Sequence, residues 1–164
     1  MAIPSNEPLV NHYRRLFDYD RWATARVLEA LDKLQKPPAK AVERMAHVVA
    51  AAEIWLSRVD RECEPPDTIF PKCGLHEVSE RAERIGARWS MLVSTLTDTR
   101  LHQPIRYHST EGQPYESRLH ESLTDVVNHA TYRRGQVACG LRAIGVDAPI
   151  TDAIAMTRRP GHDA

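Results

Sequence analysis

Four stretches of this chain repeat apolar residues at steps of three, four and seven, and proline-bearing connections separate them. That period matches one face of an α-helix and not the two-residue alternation of a strand. The first stretch runs from about Pro8 to Leu34, with Leu9, Tyr13, Leu16, Ala23, Val27, Ala30 and Leu34 in register. Pro37-Pro38 ends it, because a proline ring cannot continue the hydrogen-bond ladder. The second covers roughly Ala39 to Arg61 through Val42, Met45, Val49, Leu56 and Val59, and Pro65-Pro66 closes it. The third spans about Glu77 to Leu96 through Val78, Ala82, Ile85, Trp89 and Leu92. The fourth begins near Ser122 and buries Leu123, Val126, Val127, Ala130, Val137, Leu141 and Ile144. Ser122 to Asp125 has the form of a capping box, and Gly145 is placed as a C-terminal cap ahead of Pro149.

At 1.5 Å per residue, each stretch of about 20 residues would span a small domain. The expected fold is therefore all-α, a four-helix bundle. Between the third and fourth helices, residues 105–117 carry Tyr107, Gly112, Pro114 and Tyr115, which suggests a short β-hairpin or an irregular loop. That connection is long enough to cross the bundle end, so an up-down-down-up order is expected. The bundle is assigned to residues 1–152 and a mobile tail to 153–164.

Composition excludes several partners. Twenty-two basic and 22 acidic residues give zero net charge, so there is no electrostatic case for nucleic acid or anionic membrane. No apolar run reaches the ~20 residues that cross a bilayer. The first residues lack a basic segment followed by an apolar one, which predicts a cytoplasmic protein. Cys63, Cys73 and Cys139 lack zinc-type or redox-type spacing. They are expected as free thiols, with Cys139 as a small core residue.

Chemistry concentrates on two helices. His47 and His129 sit among apolar neighbours on the second and fourth, and bundles build metal sites from facing helices. A lone histidine on such a face is more often a hydrogen-bonded structural residue. Position 133 lies one turn beyond His129 on the same face and would complete a chelating pair, but it is arginine. Asp20 falls in the first apolar seam and needs a partner, and Glu53 stands on the second helix. Trp22, Trp55 and Trp89 read most simply as core anchors, and Trp55 could also line a pocket. The remaining histidines lie near helix ends, in connections or in the tail.

Three motifs carry a resemblance over nearly the whole chain: residues 18–23 (DYDRWA), His47 followed by residues 52–56 (AEIWL), and residues 128–136 (NHATYRRGQ) with 141–145 (LRAIG) after them. Together they resemble the DinB/YfiT-like metalloenzyme family, in which the last motif reads His-x-x-x-His-Arg-Gly-Gln. The resemblance implies a four-helix bundle, commonly a homodimer. It also implies three histidine ligands for a divalent metal (nickel, zinc or iron), and in some relatives a thiol-dependent transferase or isomerase activity. A link to DNA damage rests on the family's name alone. His47 and His129 match two ligand positions, and Arg133 stands at the third.

Three readings of Arg133 follow. The metal site is lost, with Arg133 paired to Glu53 or Asp20. The ligand set has shifted to His47, His129 and Asp125, a two-histidine, one-carboxylate set suited to iron. Or a two-histidine site persists, completed by water or Glu53, while Arg133 points away or binds an anionic substrate group. The corresponding functions are a metal-dependent transferase, isomerase or hydrolase on one side, and a metal-free bundle binding a small molecule or a partner on the other.

Overall fold

The structure, a computed structural model, describes residues 8–158. These form α1 (Pro8–Asp32), α2 (Ala39–Val59), α3 (Leu75–Thr95), α4 (Asp98–Leu101), β1 (Pro104–His108), β2 (Pro114–Arg118), α5 (Leu119–Ala143) and α6 (Ala153–Thr157). The four long helices fall where the apolar periodicity places them, with no end shifted by more than three residues. No helix among the described residues is long and apolar enough to cross a membrane.

α1 borrows its cap. The orphan N–H of Val10 donates to Asp98 Oδ1 at 2.8 Å, from the start of α4. Asp98 thereby satisfies one of the amides a helix start leaves unpaired and places negative charge at the positive end of the α1 dipole. Asp98→Ala is expected to cost about 1 kcal/mol, the usual loss for an N-cap acceptor. Urea unfolding with an unchanged m-value would measure it.

The hairpin expected after the third long helix is present. β1 and β2 pair antiparallel from Pro104↔Arg118 to His108↔Pro114. The Ser109 amide donates to the Gln113 carbonyl at 2.8 Å, and Gly112 adopts φ 85° in the turn, a left-handed conformation that favours glycine. The start of α5 differs from expectation. The helix begins at Leu119, and the Arg118 amide donates to Glu121 Oε2 at 2.8 Å. Ser122 lies inside the first turn, buried, with no partner for its hydroxyl among the described residues. The capping box is thus displaced, because the hairpin feeds α5 directly and starts it three residues early. At the other end the expected cap holds. Gly145 has φ 76°, and the Val146 and Gly145 amides donate to the carbonyls of Leu141 and Arg142, both at 3.0 Å.

Around the core, α3 packs beside α1 and α2, and α5 packs against their other sides. Val10 at the start of α1 meets Asp98 just beyond α3, and Tyr13 Oη donates to the His120 carbonyl at the start of α5 at 2.8 Å. Early α2 meets late α5, where Arg44 Nη1 reaches the Gln136 carbonyl at 3.4 Å. Leu31, Met45, Leu56, Leu101, Leu119, Leu123 and Leu141 are fully buried. After α5, Tyr19 Oη on α1 donates to the Thr151 carbonyl at 2.9 Å, and α6 lies on α1. Residues 159–164 of the expected tail fall outside the described residues.

Cys139 is exposed rather than in the core. It follows the buried Val137 and Ala138, and a step of 100° per residue carries the next side chain to the outer face. Cys63 is a buried free thiol whose Sγ donates to Asp60 Oδ2 at 3.3 Å, and Cys73 is half-buried and free.

Candidate functional site

α2 and α5 bring His47 and His129 together. Their Nε2 atoms lie 3.2 Å apart. His47 is buried, His129 half-buried, and the Phe70 ring stacks on His47 with centroids 4.6 Å apart and an 11° interplanar angle. His47 Nδ1 sits 2.9 Å from the Ile69 carbonyl. A carbonyl only accepts, so Nδ1 carries the proton, and neutral His47 turns an Nε2 lone pair toward His129.

Arg133 completes the cluster one turn along α5. Its Nε donates to His129 Nε2 at 3.3 Å and its Nη1 to Gln136 Oε1 at 3.3 Å. One atom, His129 Nε2, therefore faces both an arginine N–H and a histidine lone pair. It cannot accept from the first and donate to the second with one tautomer. The neutral arrangement leaves one of these two contacts unmade. Adding a proton to His47 would serve both, but at the cost of two cations side by side.

Burial first, then electrostatic repulsion of a second positive charge beside His47 and Arg133, push the His129 imidazole below its ordinary value of 6.5, against a smaller upward pull from Asp125. A depressed folded pKa means that the unfolded chain takes the proton first as pH falls. The stabilising contribution of neutral His129 is thus fully present above about pH 6.5 and lost as pH falls through the lower folded value. Thermal melts from pH 8 to 5 should show this decline, reduced in His129→Gln. Equal slopes in the two proteins would contradict it.

A tetrahedral zinc centre with Zn–N near 2.0–2.1 Å sets its nitrogens roughly 3.3 Å apart. The two Nε2 atoms match that spacing. The remaining donors do not match, because the third histidine position presents a guanidinium with no lone pair to give. Among the described residues, no group of three His, Cys, Asp or Glu side chains could hold a metal ion. The residues present do not fit a three-ligand metal centre.

The other candidates lie elsewhere. Asp125 is exposed and joins no such group, so the shifted ligand set does not assemble. Glu53 is held by Arg81 of α3, through Nε–Oε1 at 3.1 Å and Nη2–Oε2 at 2.5 Å. Trp55 packs edge-on against Tyr107 with centroids 5.0 Å apart, beneath the Arg58 guanidinium. With Tyr107 and Tyr115 it lines a cavity of about 340 Å³ beside the hairpin.

Asp20 finds its partner in Arg134, not in Arg133. Arg134 is only 1% exposed. Its Nη1 donates to Asp20 Oδ1 at 2.5 Å and to Thr24 Oγ1 at 3.0 Å, and its Nη2 donates to Thr131 Oγ1 at 3.0 Å. Burial pushes the Asp20 carboxyl up from the usual carboxylate range, and the Arg134 charge and hydrogen bond pull it back down. In the sequence Asp20 stands out in its apolar seam, and its partner does not. The available signal was Arg134 itself, which falls in the buried row Val127, Ala130, Val137 and Leu141 where an unpartnered charge is untenable.

A DinB-like protein from Bacillus cereus ATCC 10987 superposes with a TM-score of 0.59. The superposition covers 87% of this chain and 94% of that chain at 19% sequence identity, a likeness that speaks for the fold. No curated protein matches. The sequence pattern of the DinB family matches residues 10–160, and the chain belongs to that family.

Proposed function

We propose that this chain is a ligand-binding member of the DinB family, in which His47, His129 and Arg133 receive an anionic group of a small molecule in place of a resident divalent metal. The observation that carries this reading is the position of Arg133. Its Nε faces His129 Nε2 at 3.3 Å, and its Nη2 has no hydrogen-bond partner among the described residues. A half-buried guanidinium beside two imidazoles favours a carboxylate or phosphate, whose oxygens accept from the Arg133 Nη2 group. An anion would also relieve the proton conflict, since it offsets the charge of a doubly protonated His47.

A second reading has its own support. His47 donates Nδ1–H to a backbone carbonyl and presents Nε2 inward, the orientation typical of metal-bound histidine. In that reading His47 and His129 hold a weakly bound divalent ion (nickel, zinc or iron) completed by water or a small-molecule thiol. The ion would lower the thiol pKa, as in a thiol-dependent transferase or isomerase, or activate a water as in a hydrolase. Glu53, held by Arg81, would stand outside the coordination shell.

Metal analysis of protein purified without an affinity tag separates the two. The first reading expects no stoichiometric metal, and calorimetric binding of phosphate or propionate that is lost in Arg133→Gln. Stoichiometric metal in the parent that disappears in His129→Ala overturns it in favour of the second.

The helix order belongs to the same proposal. The meeting of the starts of α1 and α5, of the start of α1 with the end of α3, and of early α2 with late α5 supports an up-down-down-up bundle. A homodimer and a cytoplasmic setting complete the reading. Three free thiols support the latter.

A further inference from the structure

A groove of about 420 Å³ lies between α1, α2 and α3, away from the α2–α5 histidine cluster. Its volume falls within the ~300–1,000 Å³ range of small-molecule sites. Small residues create it. Ser79, Ala82 and Gly86 face α1 at steps of three and four along α3, opposite Ala25 of α1 and Ala52 of α2. A Cβ added at Gly86 would come within 3.2 Å of the Arg21 side chain, so the helices already approach closely there. Between them the missing side-chain volume leaves a slot floored by Phe17, Leu28, Val48, Val49, Ile85 and Trp89. Trp89 is locked in place by its Nε1–H, which donates to the Ala52 carbonyl at 3.2 Å.

The charge around this apolar floor is one-sided. Asp20, Glu29, Asp32 and Glu83 line the groove against the Arg21 guanidinium and the exposed His76 imidazole, which lies 3.6 Å from Glu80. Only Asp20 is in an ion pair among the described residues, through Oδ1, and its Oδ2 accepts no hydrogen bond there. Glu29, Asp32 and Glu83 have no charged partner within ion-pair distance among the described residues. In a chain of zero net charge, this local excess is not a reflection of overall composition. A low-dielectric floor strengthens the field of such a rim and favours cations over anions.

We propose that this groove binds an amphipathic ammonium ion, with the alkyl or aryl part on the apolar floor and the nitrogen among the rim carboxylates. A neutral apolar molecule would use the floor and leave the rim idle. A fatty carboxylate would meet net repulsion, because Glu29, Asp32 and Glu83 outnumber the Arg21 guanidinium.

The test is calorimetric titration of the full chain at low salt with n-octylammonium, n-octanoate and n-octanol, all below their aggregation limits. Octylammonium is expected to bind saturably at one site, at least about fivefold more tightly than octanoate or octanol. Glu83→Gln, on the exposed side of α3, should narrow that preference without affecting folding. Ala82→Leu, checked for native helix content, should fill the slot and weaken octylammonium at least about fivefold. Arg133→Gln should leave octylammonium binding unchanged, so failure of the anion site and failure of this groove read out separately. Equal binding of the three probes, absence of saturation, or unchanged affinity in folded Ala82→Leu would overturn the proposal.

Discussion

Asp20→Ala is expected to destabilise the protein by about 3–5 kcal/mol, the usual result of removing one partner of a buried ion pair. The size follows from what stays behind. Arg134 is 1% exposed, and its guanidinium would retain two neutral threonine hydroxyls, Thr24 and Thr131, and the face of the Tyr19 ring 5.5 Å away, with no anion. Its Nε has no partner among the described residues even with Asp20 present. A guanidinium cannot shed its proton to escape burial, so the loss must appear as lost stability or as water entering the core. Arg134→Met should cost less, because the Asp20 carboxyl is 18% exposed and can become neutral, as burial already inclines it to do. The double variant Asp20→Leu with Arg134→Met should recover most of the loss, since a well-packed apolar replacement of a buried pair is often neutral or stabilising. Urea unfolding of the parent, Asp20→Leu, Arg134→Met and their double variant gives the coupling directly. A loss below about 1 kcal/mol for Asp20→Ala would mean that water already shares the site.

Arg133→His is expected to raise zinc or nickel affinity by at least about tenfold, or ~1.4 kcal/mol. The substitution removes a fixed positive charge beside His129 and puts an imidazole one turn away on the same face of α5. His47 and His129 already stand at the separation that two ligands of one tetrahedral ion adopt. A third nitrogen would turn a two-point contact into the number of protein ligands that catalytic zinc sites use. The same change should abolish binding of phosphate or propionate, because imidazole lacks the forked, permanently charged donor set of arginine. Calorimetry with each ion on both proteins checks the exchange. Unchanged metal affinity would show that the α5 backbone does not aim position 133 at the pair.

Much of this architecture was legible before any coordinates. Period and punctuation are local properties, and they placed the four long helices and the glycine cap at 145, and narrowed the connection between the third and fourth helices to a hairpin or an irregular loop. Where the reading slipped at Ser122, the cause was also local. Two acceptable starts lay three residues apart, and the hairpin selected the earlier one by delivering the chain at Leu119. The site was legible in part. His47 and His129 were singled out from two helices 82 residues apart, and they meet. Their surroundings were not legible. Glu53 was a candidate for the site until Arg81 of α3 took it, and Asp125 until α5 turned it outward.

What the sequence by itself determined is the set of helices and the approximate face each one buries, because an apolar stripe is a property of a helix's own residues. In α1 the core row adds Val10, Phe17, Leu28 and Leu31 to the expected Tyr13, Ala23 and Val27, and Ile144, expected in the core, is exposed just beyond α5. What only the tertiary structure decided is the division of labour between two adjacent arginines. Positions 133 and 134 differ by 100° around the helix axis, so that 134 falls in the buried row and 133 beside it. Arg134 turns inward because Asp20 and Thr24, more than 100 residues away on α1, meet it there. Arg133 is thereby left beside His129, where it occupies the place of a metal ligand. The helical row marks Arg134 as inward, but the partner that makes its burial tenable comes from another helix, and no local pattern contains that partner.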